Sequence, residues 1–211
     1  MKDNRDLSIL GLMIKDEVAK AQLNSWVEST GEMPKRYFIM NAFDETVAFL
    51  GLILGAYFGD FLSPKIVIIS LVNAGVAMSI SSFIVALLIE GAEATRIIDL
   101  IKYKVAVKRA SFLARLERYN RRYIFKTAMA NGSAALISAF LISLPYAMAL
   151  GNIFSVLAAF YFSIIVIIIL LFVLGFLLGR IAKRRELLYC FSTIIAGTLT
   201  GIICMLLGFI E

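Results

Sequence analysis

Histidine is absent from the 211 residues. That removes the commonest transition-metal ligand and the usual general base of hydrolytic enzymes. Cysteine occurs twice, at Cys190 and Cys204, in one apolar stretch. Fourteen residues of helix separate them by about 21 Å, so they do not pair with each other. Charge is scarce at 17% and unevenly spread: residues 61–89 carry only Lys65, and residues 127–179 carry none. No phosphate-binding glycine loop and no nucleophile elbow occurs, and no serine has a visible base partner, so an enzyme is not expected. The opening residues mix acids and bases without a clean apolar core, and no secretory signal is expected there.

Hydrophobic residues make up 61% of the chain, at a mean hydropathy of +0.89. Soluble domains run to about 45–50% apolar. Charge-free runs of about 18 residues or more are candidates for membrane helices. Cutting the chain at its charges predicts five spans, at residues 37–59, 66–90, 125–150, 153–179 and 188–210. The fold class is therefore an all-α integral membrane protein, multi-pass, in the cell membrane if the source is prokaryotic. Pro64 is expected to stop helix continuation between the first two spans, and Gly151-Asn152 to turn the chain between the third and fourth.

Lysine and arginine mark the cytosolic ends of membrane helices. Twenty of the twenty-one lie in residues 1–36, 91–126 and 180–185, and Lys65 alone lies in the other set of loops. The expected topology has the N-terminus in the cytosol and the C-terminus on the opposite side. The net charge of +6 reads as this topology signal, strengthened by attraction to anionic lipid headgroups, and not as a nucleic-acid footprint.

The domain reading is a cytosolic N-terminal segment, 1–36, followed by a five-helix membrane domain, 37–211, with a basic cytosolic segment at 91–126. Leu10, Met13, Ile14, Val18 and Ala21 recur at helical spacing, which predicts an amphipathic helix over 7–28. The basic segment interleaves tyrosines with arginines. Beside a membrane span it reads as a headgroup-facing extension of span two.

Two adjacent carboxylates interrupt the first span. Asp44 lies seven residues inside it, about 10 Å along a helix axis. An aspartate is too short to reach the surface from there, and a charge in the bilayer costs a few kcal/mol or more. Such a residue is expected to face a wet cavity or a partner and to mark an ion or proton path. Glu45 either shares that role, turns to the cytosolic rim or pairs with an arginine. Glu90 ends span two, with Glu93 on the same helical face. Both are either interfacial residues paired with Arg96 or Lys102, or residues of the path, in which Glu90 approaches Asp44 if the first two spans are adjacent, with Asn41 as a neutral oxygen ligand. Asn73 either lines a path or makes an interhelical hydrogen bond. Gly75, Ala77, Ser79, Ser81 and Ser82 form a small-residue run suited to close helix packing or a dimer interface. Met40, Met78 and Met129 read first as packing residues.

The stretch RYFIMNAFDETVAFLGLILGA (36–56) resembles the first membrane helix of the vacuolar iron transporter family. That family opens with an arginine, an aspartate eight residues on and a glycine eleven beyond, matched here by Arg36, Asp44 and Gly55. IEGAEATRIID (89–99) places Glu90 and Asp99 at the family's nine-residue spacing. The five-span layout and Leu144-Pro145-Tyr146 agree as well. The chain departs from the family pattern at Glu45, Ile89, Gly91 and Ile98. Its 100–126 segment has one acid, Glu117, among nine basic residues, where family members with a metal-collecting domain carry several glutamates. A basic segment repels divalent cations, so that collecting function is expected to be missing.

The resemblance implies export of ferrous iron or manganese from the cytosol in exchange for protons. It implies a homodimer with the path between the subunits' first two helices, Asp44 in the path and Glu90 near the cytosolic entrance. Fe2+ or Mn2+ would be cargo, and no resident cofactor is expected. Carboxylates bind either protons or a divalent cation, and such competition couples the two fluxes. The alternative is a non-transporting membrane scaffold or accessory protein that kept the fold.

Overall fold

The computed structural model describes residues 32–105, 110–183 and 185–208. The expected amphipathic helix at 7–28 lies outside them. Five helices follow in order: α1 (Met33–Phe58), α2 (Pro64–Val105), α3 (Ala110–Leu150), α4 (Val156–Ala182) and α5 (Glu186–Gly208). No strand occurs among the described residues. All five helices are long and apolar enough to cross a membrane. The protein is thus an all-helical, multi-pass membrane protein.

α2 and α3 have 42 and 41 residues. At about 1.5 Å per residue each is near 60 Å, twice the roughly 30 Å of hydrocarbon. Their membrane-compatible portions are Pro64–Asp99 and Asn120–Leu150. Both helices thus continue past the expected spans, 66–90 and 125–150, into charged sequence.

The helix ends are built by chemistry that the sequence carries locally. α1 closes through Asp60, whose φ is 56°, with Phe61 N–H donating to Ala56 O at 3.0 Å and Asp60 N–H to Tyr57 O at 3.4 Å. α3 closes in the same way through Asn152, at φ 59°, with Ile153 N–H donating to Met148 O and Asn152 N–H to Ala149 O. This pairing is the Schellman arrangement, and Asp and Asn are the non-glycine residues best able to take its left-handed position. Pro64 opens α2 instead of merely stopping α1. Proline suits a first helical position because its missing N–H would have no partner there. Ser155 caps α4, its Oγ accepting from Ala158 N–H at 3.2 Å.

The described residues fall into two compact units, one within Arg36–Ser82 and Asn131–Glu211, the other within Met1–Lys35 and Phe83–Ala130. The first unit has a core of Phe49 and Ile53 from α1, Val67 and Leu71 from α2, Ile142 and Tyr146 from α3, and Phe160, Ile167 and Leu171 from α4. Small residues set its closest approaches. A Cβ on Gly75 would lie 2.6 Å from Ala139 Cβ, so α2 and α3 meet there nearly backbone to backbone. A Cβ on Gly175 would lie 2.7 Å from Cys190 Cα, and one on Gly179 2.6 Å from Glu186 Cα, which seats α5 against α4. Thr193 Oγ1 adds a hydrogen bond to Leu171 O at 2.9 Å. Hydroxyls and glycines join this apolar core at the closest helix contacts, while other large aliphatics such as Ile69, Ile80, Ile165 and Ile195 are exposed. Lipid is as apolar as leucine, so in a bilayer close packing and hydrogen bonds hold helices together.

In the second unit, α2 buries Ala86, Glu90, Ala94 and Ile98, one residue per turn. α3 buries Asn120, Tyr123, Thr127 and Ala128. Phe83 meets Phe125 edge-on, with ring centroids 6.0 Å apart.

Candidate functional site: carboxylates and amides within the membrane helices

Successive residues of a helix point about 100° apart, so the neighbours Asp44 and Glu45 leave α1 in different directions. Asp44 is exposed, in line with exposed Met40 and Ala48 at four-residue intervals. Glu45 is buried at 5% exposure, in line with half-buried Asn41 and with Phe49 at 1%. The inward stripe of α1 is thus amide, carboxylate, phenyl, and the outward stripe is thioether, carboxylate, methyl.

Asn41 belongs to a polar junction of three helices. Its Nδ2 donates to Ser82 Oγ on α2 and to Asn131 O on α3, both at 3.0 Å. Ser82 Oγ donates back to Asn41 Oδ1 at 3.3 Å. Asn131 Nδ2 donates to Ser82 O at 2.9 Å. Both lone donors and backbone acceptors that would otherwise be orphaned in a low-dielectric interior are engaged. Two turns along α1, Phe49 meets Gly75, Ala135 and Ala139 in the next contact layer. Glu45 lies between these two layers, one helical turn from Asn41 and one from Phe49.

Three buried oxygens among the described residues of this unit have no hydrogen-bond partner, and besides the Tyr146 hydroxyl in the core they are Glu45 Oε2 and Asn131 Oδ1. Both are acceptors. A buried carboxylate without a partner costs several kcal/mol, and evolved interiors rarely leave one so. Thr46, beside Glu45, is turned to its own helix, with Oγ1 donating to Ala42 O at 2.6 Å.

The remaining expected residues divide between the units. Glu90 is buried at 4% on the inner stripe of α2 in the second unit, and Glu93 is exposed there. Asn120 Oδ1 and Thr127 Oγ1 of the same unit are buried without hydrogen bonds. Asn73 is exposed and makes no interhelical hydrogen bond among the described residues. Met40 and Met129 are exposed at 57% and 51%, and Met78 packs against the core. Gly75 and Ser82 of the small-residue run serve packing and the junction, whereas Ala77 and Ser81 are exposed. Among the described residues of the single chain, no three acidic or cysteine side chains gather to hold a metal.

Sequence reasoning missed Asn131, the α3 member of the junction, and Ser82 appeared in it only as a small packing residue. Asn131 was open to notice as an amide in a charge-free span, where a polar side chain needs an internal partner. The arrangement offers a membrane-embedded carboxylate on each of two faces of α1, one directed outward and one directed at an amide-rich junction. No family model, curated protein or solved structure matches the chain.

Proposed function

We propose that the protein transports a divalent metal ion, Fe2+ or Mn2+, out of the cytosol in exchange for protons, as a homodimer with the N-terminus cytosolic. The observation that carries this reading is Asp44. It sits on the exposed face of a membrane span, where a carboxylate facing lipid is strongly disfavoured. A second copy laid against α1 and α2 would cover it and give it a polar setting. The exposed small and polar residues support that placement: Ala48 and Gly55 on α1, Asn73, Ala77 and Ser81 on α2. A Cβ on Gly55 would meet nothing within 4 Å, so its surface is open to a close-packed neighbour.

In this reading Asp44 binds the metal between subunits, Glu90 and Glu93 attract it from the cytosolic side, and Glu45, on the inner face of α1 with Asn41, serves the proton side of the exchange. Carboxylate and amide oxygens suit manganese and ferrous iron. The resemblance of residues 36–56 and 89–99 to vacuolar iron transporters supports the same cargo.

A non-transporting scaffold is the second reading, favoured by the basic residues of 91–126, which suit an acidic partner better than a cation. Uptake into proteoliposomes separates the two. Fe2+ or Mn2+ flux that needs both a proton gradient and Asp44 establishes exchange. Correctly inserted protein with no metal-dependent flux favours the scaffold.

A further inference from the structure

Between α1, α4 and α5 the first unit carries an apolar groove of about 380 Å3. Its lining runs from Phe160 to Leu171 on α4 and from Ile194 to Met205 on the antiparallel α5. Each stretch rises about 16 Å, half of the roughly 30 Å of hydrocarbon in a bilayer. Thr193 Oγ1, donating to Leu171 O at 2.9 Å, fixes this register at mid-bundle. The groove thus has the depth of one leaflet, in the half of the bundle that holds the α3–α4 turn. Its floor is closed and its mouth is open: Leu50, Phe160, Ile167 and Leu171 are buried, whereas Tyr161, Ile168, Ile202 and Met205 are exposed.

The lining selects hydrocarbon along its length. Its one aliphatic hydroxyl, on Thr198, donates its proton to Ile194 O at 2.8 Å. The other polar group is the Tyr161 phenol, at the end of the groove away from mid-bundle. Tyrosines of membrane helices gather at the level where headgroups begin. A volume of about 380 Å3 over a length of about 16 Å gives a cross-section of about 24 Å2. A helix with its side chains is about 10 Å across, about 80 Å2 in section, so a second copy's helix does not fit. One extended methylene chain does. The rim also continues the lipid-facing surface, with exposed Ile165 and Ile195 each three residues from a rim residue. Lipid is as apolar as leucine, so no hydrophobic gain draws a chain in. Packing holds it, because an unfilled groove would deprive the buried floor of its dispersion contacts.

We infer that this groove is a binding site for one straight acyl chain of a membrane phospholipid, seated lengthwise with its ester end beside Tyr161. Recognition is by chain shape and is indifferent to headgroup charge. It is separate from the basic segment 180–185, which lies at the opposite end of α4. It is also separate from the proposed dimer face, because Leu54 in the groove and Gly55 on that face leave α1 about 100° apart. The site needs only the membrane setting and stands whether or not the protein transports metal.

The test is native mass spectrometry of the full, delipidated chain in mild detergent. It is titrated separately with palmitoyl-oleoyl phosphatidylcholine, palmitoyl-oleoyl phosphatidylglycerol and diphytanoyl phosphatidylcholine, whose chains carry methyl branches. The two palmitoyl-oleoyl lipids should bind equally, one per chain. The branched lipid should bind about ten-fold more weakly or worse, because its methyl groups overpack the groove. Thr198→Phe should abolish this binding by filling the groove with a ring, and Thr198→Ser should keep it. Thr198 is exposed and its hydroxyl bonds only to its own helix, so both variants should fold, which thermal melting checks. Gly201→Leu is a second filling variant, since a Cβ there stands an ordinary 3.7 Å from Leu50 Cδ2. Equal binding of straight and branched lipids overturns the site, as does undiminished binding in the folded filled variants. A strong preference for phosphatidylglycerol assigns retention to the headgroup and overturns it too. So does a co-purifying apolar molecule of another class that phosphatidylcholine fails to displace.

Discussion

Asp44 and Glu45 are sequence neighbours on α1 with opposite surroundings: Asp44 is exposed on the outer face and Glu45 is 5% exposed on the inner one. One helix thus carries a carboxylate for a partner outside the chain and another for the interior. The two are separable by mutation, and the account gives them different signatures.

Glu45→Gln should raise thermal stability and lower transport. The buried Oε2 has no hydrogen-bond partner, and a neutral amide of the same shape removes the cost of a charge there. A gain of about 1–3 kcal/mol is expected, visible as a melting midpoint several degrees higher. Functional sites commonly trade stability for activity in this way. A lower midpoint would show that the carboxylate is a structural anchor instead.

Asn41→Leu should be destabilising by more than Asn131→Ala. Asn41 donates two bonds at 3.0 Å and accepts one, so its loss strands Ser82 Oγ and frees the α1–α2–α3 junction. Interhelical hydrogen bonds in membranes contribute about 0.6–2 kcal/mol each. Losses near 2 and near 1 kcal/mol are expected, measured by chemical unfolding in detergent. Equal, negligible losses would mean the junction is incidental.

How much of this could be read from the chain alone varies by level. Five apolar runs, bounded by charge or, between the third and fourth, by Gly151-Asn152, place five helices because hydropathy reports where lipid can lie. It does not report where hydrogen-bonded helix ends. The basic segment after Glu90 reads as an extension of span two, and α2 does run unbroken to Val105, with Glu90 buried on a stripe with Ala86 and Ala94. Pro64 reads as a stop and is a start, since the same ring that breaks a helix interior suits its first residue. The site was legible in residue type and less so in direction. Asp44 and Glu45 stand out in a greasy span, but apolar neighbours all round α1 give no amphipathic period to say which carboxylate turns inward. Asn131 stands out as an amide in a charge-free span, but its partners on α1 and α2 are distant in sequence, so its role is not readable from the chain alone.

Gly75→Leu and Gly55→Leu should fail in different ways. The first places atoms where Ala139 Cβ would already be 2.6 Å from a Cβ, so it disrupts α2–α3 packing and lowers folded yield. The second meets open space within the chain and leaves the monomer folded. Its effect should appear in oligomeric state, as loss of dimer in size-exclusion chromatography with light scattering. A Gly55→Leu variant that remains dimeric and active would remove α1 from the proposed interface.

Asp60→Gly should stabilise by about 1 kcal/mol, because glycine takes a left-handed position at no steric cost. The residue is exposed at the end of α1 with φ 56° and belongs to no proposed path, so transport should be unchanged. Thermal melting and uptake measured on the same preparation check both halves.

The most direct test of the central claim is metal uptake into proteoliposomes under an imposed pH gradient, comparing the native chain with Asp44→Ala. The account predicts Fe2+ or Mn2+ flux that requires the gradient and falls at least ten-fold in the variant, with folding and insertion preserved because Asp44 is exposed. Flux that survives intact in Asp44→Ala, or well-inserted native protein that moves neither metal, would contradict it.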